Sequence, residues 1–221
     1  MKLILGTANF YHEYGINGVQ LRHSEIDRIL DTAREAGIEY IDTAPAYLNR
    51  WNDWDMLHVP DFTGFKMIQK TPWQGRAWAL LQHNPDGIPP ARNELVENVG
   101  ISIYTVEQMQ AALHYPIDII QLPMNIADNR FIPYLPELHK RGVEVHARSV
   151  FLQGALLTGR KVPKFTAEQC LAFVLAQDVD GVVVGVNTAE QLQELVNVKP
   201  INYQGLNICD ERIIDPRNWG G

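Results

Sequence analysis

The sequence predicts an α/β protein, a (β/α)8 TIM barrel reduced in size. Three observations predict it. Eight short apolar runs of strand length begin at residues 2, 38, 66, 78, 98, 117, 143 and 181. Amphipathic segments with capping signals follow the first, fifth, sixth, seventh and eighth. The chain has 221 residues, against the roughly 250 usual for such barrels. Alternation of strands and helices argues for a parallel sheet. An open doubly wound sheet is the alternative arrangement. No linker or low-complexity stretch intervenes, so residues 1–221 are expected to form one domain.

Taken in order, "KLILG" (2–6) reads as the first strand. "SEIDRILDTAREAG" (24–37) reads as a helix with Ser24 as N-cap, an Ile26/Ile29/Leu30/Ala33 face and Gly37 as its stop. "IEYID" (38–42) is the second strand. "KMIQK" (66–70) and "WALLQH" (78–83) follow with fewer than ten residues between them, short for a crossover helix. "NVGIS" (98–102) precedes a helix over 105–115 with a Thr105/Gln108 capping pair. "IDIIQL" (117–122) precedes a helix over 132–142, with Pro133 and Pro136 suited to its first turn. "VEVHARS" (143–149) precedes a helix over 166–177, again with a capping pair, Thr166 and Gln169. "GVVVGV" (181–186) precedes the last helix, 188–198. Helices are weak or missing after the second, third and fourth strands.

Composition excludes several classes. The formal net charge of −7 gives no basic footprint for nucleic acid. No run reaches the roughly 18 apolar residues of a membrane span, and the start lacks the length of a signal peptide, so a cytoplasmic protein is expected. Cys170 and Cys209 are far apart and read as buried thiols, with one disulfide as the alternative. The histidines show no paired ligand spacing, and no metal is expected.

In a barrel the chemistry lies at the C-terminal strand ends. Here those ends are Gly6-Thr7, Asp42 with Tyr47 just beyond, Lys70, His83, Ser102, Gln121, Arg148-Ser149 and Gly185. Asp42, Tyr47, Lys70 and His83 make chemical sense together. A phenol with a pKa of about 10 is a poor acid at neutral pH. A nearby Lys70 ammonium, held by Asp42, is expected to lower the pKa of Tyr47 and make it a usable general acid for a substrate oxygen. His83 would orient the same oxygen. The hydride for reducing a carbonyl would have to come from a nicotinamide cofactor.

These residues lie in stretches that resemble the aldo-keto reductases. The likeness runs over nearly the whole length, through "LGTANF", "AREAGIEYIDTAPAY", "LLQHNP", "VGIS", "IIQLPMN", "RGVEVHARSVFLQGALLTG" and "VVVGVNTAEQLQEL". "GIxxIDTAxxY" is its most specific part. The resemblance implies that the family's catalytic tetrad falls on Asp42, Tyr47, Lys70 and His83. It implies a nicotinamide carboxamide on Ser102 and Gln121, Arg148 at the stacking position, and a pyrophosphate near Ser149, Leu152 and Gly154. Gly6 and Thr7 would line the cofactor site, and Gly185, Asn187, Gln191 and Glu194 would meet the adenosine end. The implied cofactor is NADPH or NADH, and the implied partner a small carbonyl substrate.

The departures matter too. Ile103 replaces the family's usual asparagine beside Ser102, and Gln191 stands where many relatives carry an arginine for the 2′-phosphate. Arg160, Lys161 and Lys164 offer replacements for it, or simply a solvated loop. "LNRWNDWDMLHVP" replaces the usual text after the tyrosine. Trp51 and Trp54 there could wall a substrate or plug the gap left by a missing helix. Two alternatives stay open beside the reductase: a Lys70 Schiff-base lyase, and a non-catalytic barrel that binds a ligand.

Overall fold

The computed structural model describes residues 1–10, 13–16, 18–48, 60–73, 75–83, 88–208 and 210–219. Eight parallel strands pair in chain order and close on themselves, so the open-sheet alternative falls away. They are β1 (Lys2–Gly6), β2 (Tyr40–Asp42), β3 (Lys66–Lys70), β4 (Ala77–Gln82), β5 (Val96–Ser102), β6 (Ile119–Pro123), β7 (Glu144–Arg148) and β8 (Gly181–Val184). The helices are α1 (His23–Glu35), α2 (Pro45–Leu48), α3 (Val106–Ala112), α4 (Leu135–Lys140), α5 (Ala155–Thr158), α6 (Ala167–Leu175), α7 (Ala189–Leu195) and α8 (Glu211–Ile214).

Side chains alternate across each strand, so every second residue enters the barrel. The interior is layered in consequence. A middle belt of Ile4, Ile68, Ala79, Leu81 and Ile119 is apolar and fully buried. Two residues further along their strands stand Gly6, Lys70 and Gln121, at the C-terminal mouth. Below the belt lies a second polar layer. The Lys2 ammonium meets Glu144 at 2.5 Å and lies 4.6 Å from the centre of the Trp78 ring. His146, wholly buried, meets the same Glu144 oxygen at 2.6 Å through Nε2. Gly100 lets β5 and β6 approach. A Cβ there would fall 2.1 Å from the Ile119 carbonyl oxygen and 2.8 Å from Leu81 Cδ2.

The outer layer is uneven. α1 buries Ile26, Ile29, Leu30 and Ala33, the face expected from its periodicity. Its N-cap, however, is Arg22, with no side-chain cap, and Ser24 sits inside the helix. The capping boxes at Thr105/Gln108 and Thr166/Gln169 both form. The expected helix over 132–142 splits into a 3-10 turn, Ile132–Tyr134, and α4. Pro136 lacks the N–H that a continuous helix would donate to the Ile132 carbonyl.

Between β3 and β4, and over residues 88–95 before β5, the described residues contain no helix. The six residues linking β3 to β4 are too few for a crossover helix. Trp73 from that link instead packs on the cluster of Leu80, Val96 and Val99 from β4 and β5. Trp51 and Trp54, expected in the loop after Tyr47, lie outside the described residues. Cys209, His12 and His58 do so as well. Cys170 is a free, buried thiol.

After α7 the chain runs back toward the loop that follows β6. Leu206 N–H donates to the Ile126 carbonyl (2.7 Å) and Ile208 N–H to that of Ala127 (3.0 Å). α8 and a 3-10 turn, Pro216–Asn218, follow, and Trp219 Nε1 donates to the Ile213 carbonyl at 3.0 Å. This segment was not foreseen in the sequence.

Candidate active site

Asp42 ends β2 and is 6% exposed, and Lys70 ends β3 and is 3% exposed. The Lys70 ammonium donates to Asp42 Oδ2 in a short ion pair. Gln121, the interior residue of β6, donates its amide to the same oxygen at 2.8 Å. Its amide oxygen accepts from the Ser102 hydroxyl at 3.3 Å, and Arg148 Nε donates to Ser102 Oγ at 3.3 Å. A continuous hydrogen-bonded chain therefore links Arg148, Ser102, Gln121, Asp42 and Lys70 across five strands. Thr7, fully buried, donates through both N–H and hydroxyl to the Asp42 carbonyl, fixing the tip of β2 against β1.

Arg148 is held on three sides. Besides Ser102 it donates to Ser149 Oγ (3.1 Å) and to the Ile103 carbonyl (2.7 Å). Among the described residues it has no carboxylate within ion-pair distance. Its guanidinium lies 4.2 Å from the centre of the Tyr104 ring. Arg217, from the C-terminal turn, stacks on that ring at 3.6 Å. The Tyr104 hydroxyl lies 3.3 Å from His83 Nε2.

These charges set the protonation states. Burial pushes the His83 pKa down to about 4, and the cations Arg148, Lys70 and Arg217 push the same way against Asp42, so the imidazole is neutral at pH 7. Burial also lowers the Lys70 pKa, while the Asp42 carboxylate opposes that fall. Tyr47, in the single turn α2, departs from expectation. Its pKa is raised, first by burial and then by the Asp42 carboxylate, with Arg148 acting in opposition. The expected lowering by Lys70 does not appear, and burial with the Asp42 carboxylate prevails.

The structure thus brings Asp42, Lys70, Ser102, Gln121 and Arg148 into direct contact, with Tyr47 and His83 at the same mouth. The loop after β7 has an unusual backbone. Ser149, Leu152 and Gln153 have φ of 60°, 47° and 50°, and Gly154 follows at 88°. Such left-handed residues are uncommon outside glycine and turn successive N–H groups toward one side. Leu152 itself is fully buried. Gly15, in the loop after β1, is pressed on the Gln153 carbonyl, where a Cβ would sit 2.6 Å away. Tyr14 beside it accepts a hydrogen bond from Gln153 Nε2 at 3.2 Å.

Gly185, Asn187, Gln191 and Glu194 stand apart, beyond β8. Asn9 bridges to them, donating to the Val186 carbonyl and to Asn187 Oδ1 (3.0 Å). The Gln191 side chain turns back to the Asn187 N–H at 2.8 Å. Arg28 is engaged by Glu25 and Glu190. Lys161 lies 5.6 Å from the Trp219 ring centre. Sequence reasoning missed Tyr14, Tyr104 and Arg217. Tyr104, two residues past Ser102, carries the strand-end signal if β5 is followed slightly further. Arg217 has no local signal, because its place depends on how the tail folds back.

A closed parallel barrel with a buried carboxylate–ammonium pair at its C-terminal mouth defines a class of barrel with chemistry placed at the strand ends. No protein-family model matches this chain, and no curated protein matches it in sequence. Solved structures do resemble it. A glycerol dehydrogenase from Gluconobacter oxydans aligns over 95% of this chain and 88% of its own, at 17% identity and TM-score 0.62. The holo form of an aldo-keto reductase from Bacillus halodurans aligns over 90% and 88%, at 16% identity and TM-score 0.63. A thermostable aldo-keto reductase solved with the inhibitor epalrestat aligns over 98% and 94%, at 19% identity and TM-score 0.59. The fold is that of the aldo-keto reductases.

Proposed function

We propose that this chain is an NAD(P)H-dependent oxidoreductase that reduces a small carbonyl compound, an aldehyde, ketone or keto-sugar, with Tyr47 as general acid. The observation that carries this is the buried Lys70–Asp42 pair at the barrel mouth shared with Tyr47 and a neutral His83. Residues 1–221 are taken as one domain in a cytoplasmic protein. Among the described residues no helix is long and apolar enough to cross a membrane.

A nicotinamide dinucleotide would supply the hydride. The residues present fit one. The left-handed backbone at Ser149, Leu152 and Gln153 suits a pyrophosphate, and nothing lies within 4 Å of the position a Cβ would take on Gly154. Ser102 and Gln121 would hold the carboxamide after exchanging the bonds they now make with each other. Gly6, Thr7 and Arg148 would border the nicotinamide. Gly185, Asn187, Gln191 and Glu194 would flank the adenosine. NADPH and NADH both remain in play. Arg28 is already engaged by carboxylates, and Arg160, Lys161 and Lys164 are the remaining cations nearby in sequence.

The chain's own chemistry is proton handling. Neutral His83 can donate a hydrogen bond to the carbonyl oxygen without carrying charge. As the carbonyl carbon gains hydride, its oxygen becomes an alkoxide, a stronger base than a phenolate even with a raised pKa. The Tyr47 O–H bond then breaks, and its proton forms the product hydroxyl. Lys70 stabilises the phenolate as it appears, and water returns the proton. Tyr47→Phe, assayed with a panel of aldehydes and keto-sugars, tests this.

One observation favours each alternative. Burial lowers the Lys70 pKa, which favours a nucleophilic amine. Borohydride trapping of a carbonyl compound on Lys70 would support a lyase. The mutual bond of Ser102 and Gln121 favours a barrel that binds a ligand without turnover. Failure of NADH and NADPH to quench tryptophan fluorescence at millimolar concentration would support that.

A further inference from the structure

Tyr104 carries a guanidinium at 4.2 Å and another at 3.6 Å from its ring centre. Both cannot occupy one face at such distances, so the ring is sandwiched between Arg148 and Arg217. Guanidinium stacking on a phenol is favourable but does not neutralise charge. Lys70 is balanced by Asp42, and Arg217 by Asp215, which takes its Nε at 3.0 Å. Among the described residues Arg148 has no carboxylate within ion-pair distance. Donors remain as well. Arg148 uses three of its five N–H groups, and Arg217 commits Nε and Nη2 to Asp215 while Nη1 has no described acceptor.

We infer that this mouth takes a carbonyl substrate bearing a carboxylate, gripped at the edge of the Arg148–Tyr104–Arg217 stack. This rests on the reductase reading and names its substrate class. A planar carboxylate matches a guanidinium fork with donors to spare. The Tyr104 hydroxyl touches His83 at 3.3 Å, so the anion lies one side chain away from the group that orients the carbonyl. Carbonyl and carboxylate are therefore separated by only a few bonds. Burial is the chief cause of the depressed His83 pKa, and the cations Arg148, Lys70 and Arg217 add to it.

The test compares 4-formylbenzoate with its neutral methyl ester. The wild-type chain should favour the acid in kcat/KM by on the order of 10- to 100-fold, the usual weight of a charge-assisted contact. Arg217→Gln should bring that ratio to within about threefold of one, and Arg217→Lys should leave it between. A wild-type ratio near one, or a ratio unchanged in Arg217→Gln, overturns the inference. Calorimetry with 4-methylbenzoate supplies a readout independent of turnover. If it binds, and binds more weakly to Arg217→Gln, while neither aldehyde is reduced, the anion site stands and the reductase reading falls. If both aldehydes are reduced equally, the reverse holds. If saturating dinucleotide abolishes 4-methylbenzoate binding, the cations serve the cofactor's phosphates, and the inference is overturned.

Discussion

Gln121 donates its side-chain amide to the same Asp42 oxygen that receives the Lys70 ammonium. The carboxylate thus has two donors from two different strands, neither exposed to water. Gln121→Met should remove one of them and cost about 1–2 kcal/mol of stability. Gln121→Glu should cost more at pH 7, because it sets a second carboxylate against Asp42. Urea midpoints of the three proteins check both the sign and the order.

Tyr47→Phe should leave the barrel and dinucleotide affinity intact while turnover falls by roughly 10²–10⁴-fold, the range of a lost general acid. Lys70→Met should also impair turnover, since the phenolate would form without a cation nearby. Asp42→Asn should do less than Tyr47→Phe. Carbonyl reduction by Tyr47→Phe at the wild-type rate would exclude Tyr47 as the acid.

His83 makes stability depend on pH. In the unfolded chain a histidine takes its proton near pH 6.5, but in the folded chain His83 stays neutral down to about 4. Between those values the unfolded state holds more protons, so stability falls as the pH drops through this window. Thermal midpoints from pH 7 to 4 should decline less steeply in His83→Gln than in the wild-type chain. Equal slopes would mean that His83 titrates normally.

Gly100→Ala should be severely destabilising, on the order of 3 kcal/mol or more, because the new methyl would meet the Ile119 backbone oxygen at 2.1 Å. Backbone cannot yield as a side-chain tip can, so β5 and β6 must separate. An urea midpoint close to wild type would show that the strands have room to move.

Much of this was legible in the sequence. Strand parity puts Lys70 two residues past Ile68 and Gln121 two past Ile119, and both pairs follow from period-two alternation. The capping boxes at Thr105 and Thr166 were readable for a similarly local reason. The protonation state of Tyr47 was not, since it depends on whether Lys70 faces the phenol or the carboxylate. Nor was the Tyr104 sandwich, which joins residues 148 and 217 from distant parts of the chain. The helix start at Arg22 was also misread. Ser24 has the right chemistry for a cap, but the helix begins one residue before it.

The apolar belt of Ile4, Ile68, Ala79, Leu81 and Ile119 keeps two ionic layers apart. Groups that share no partners across such a barrier perturb one another little. The lower layer of Lys2, Glu144 and His146 can therefore act as a stability dial separate from the chemistry above it. Selection, or an engineer, could rewrite the floor of this barrel for heat or acid tolerance and leave substrate choice at the mouth untouched.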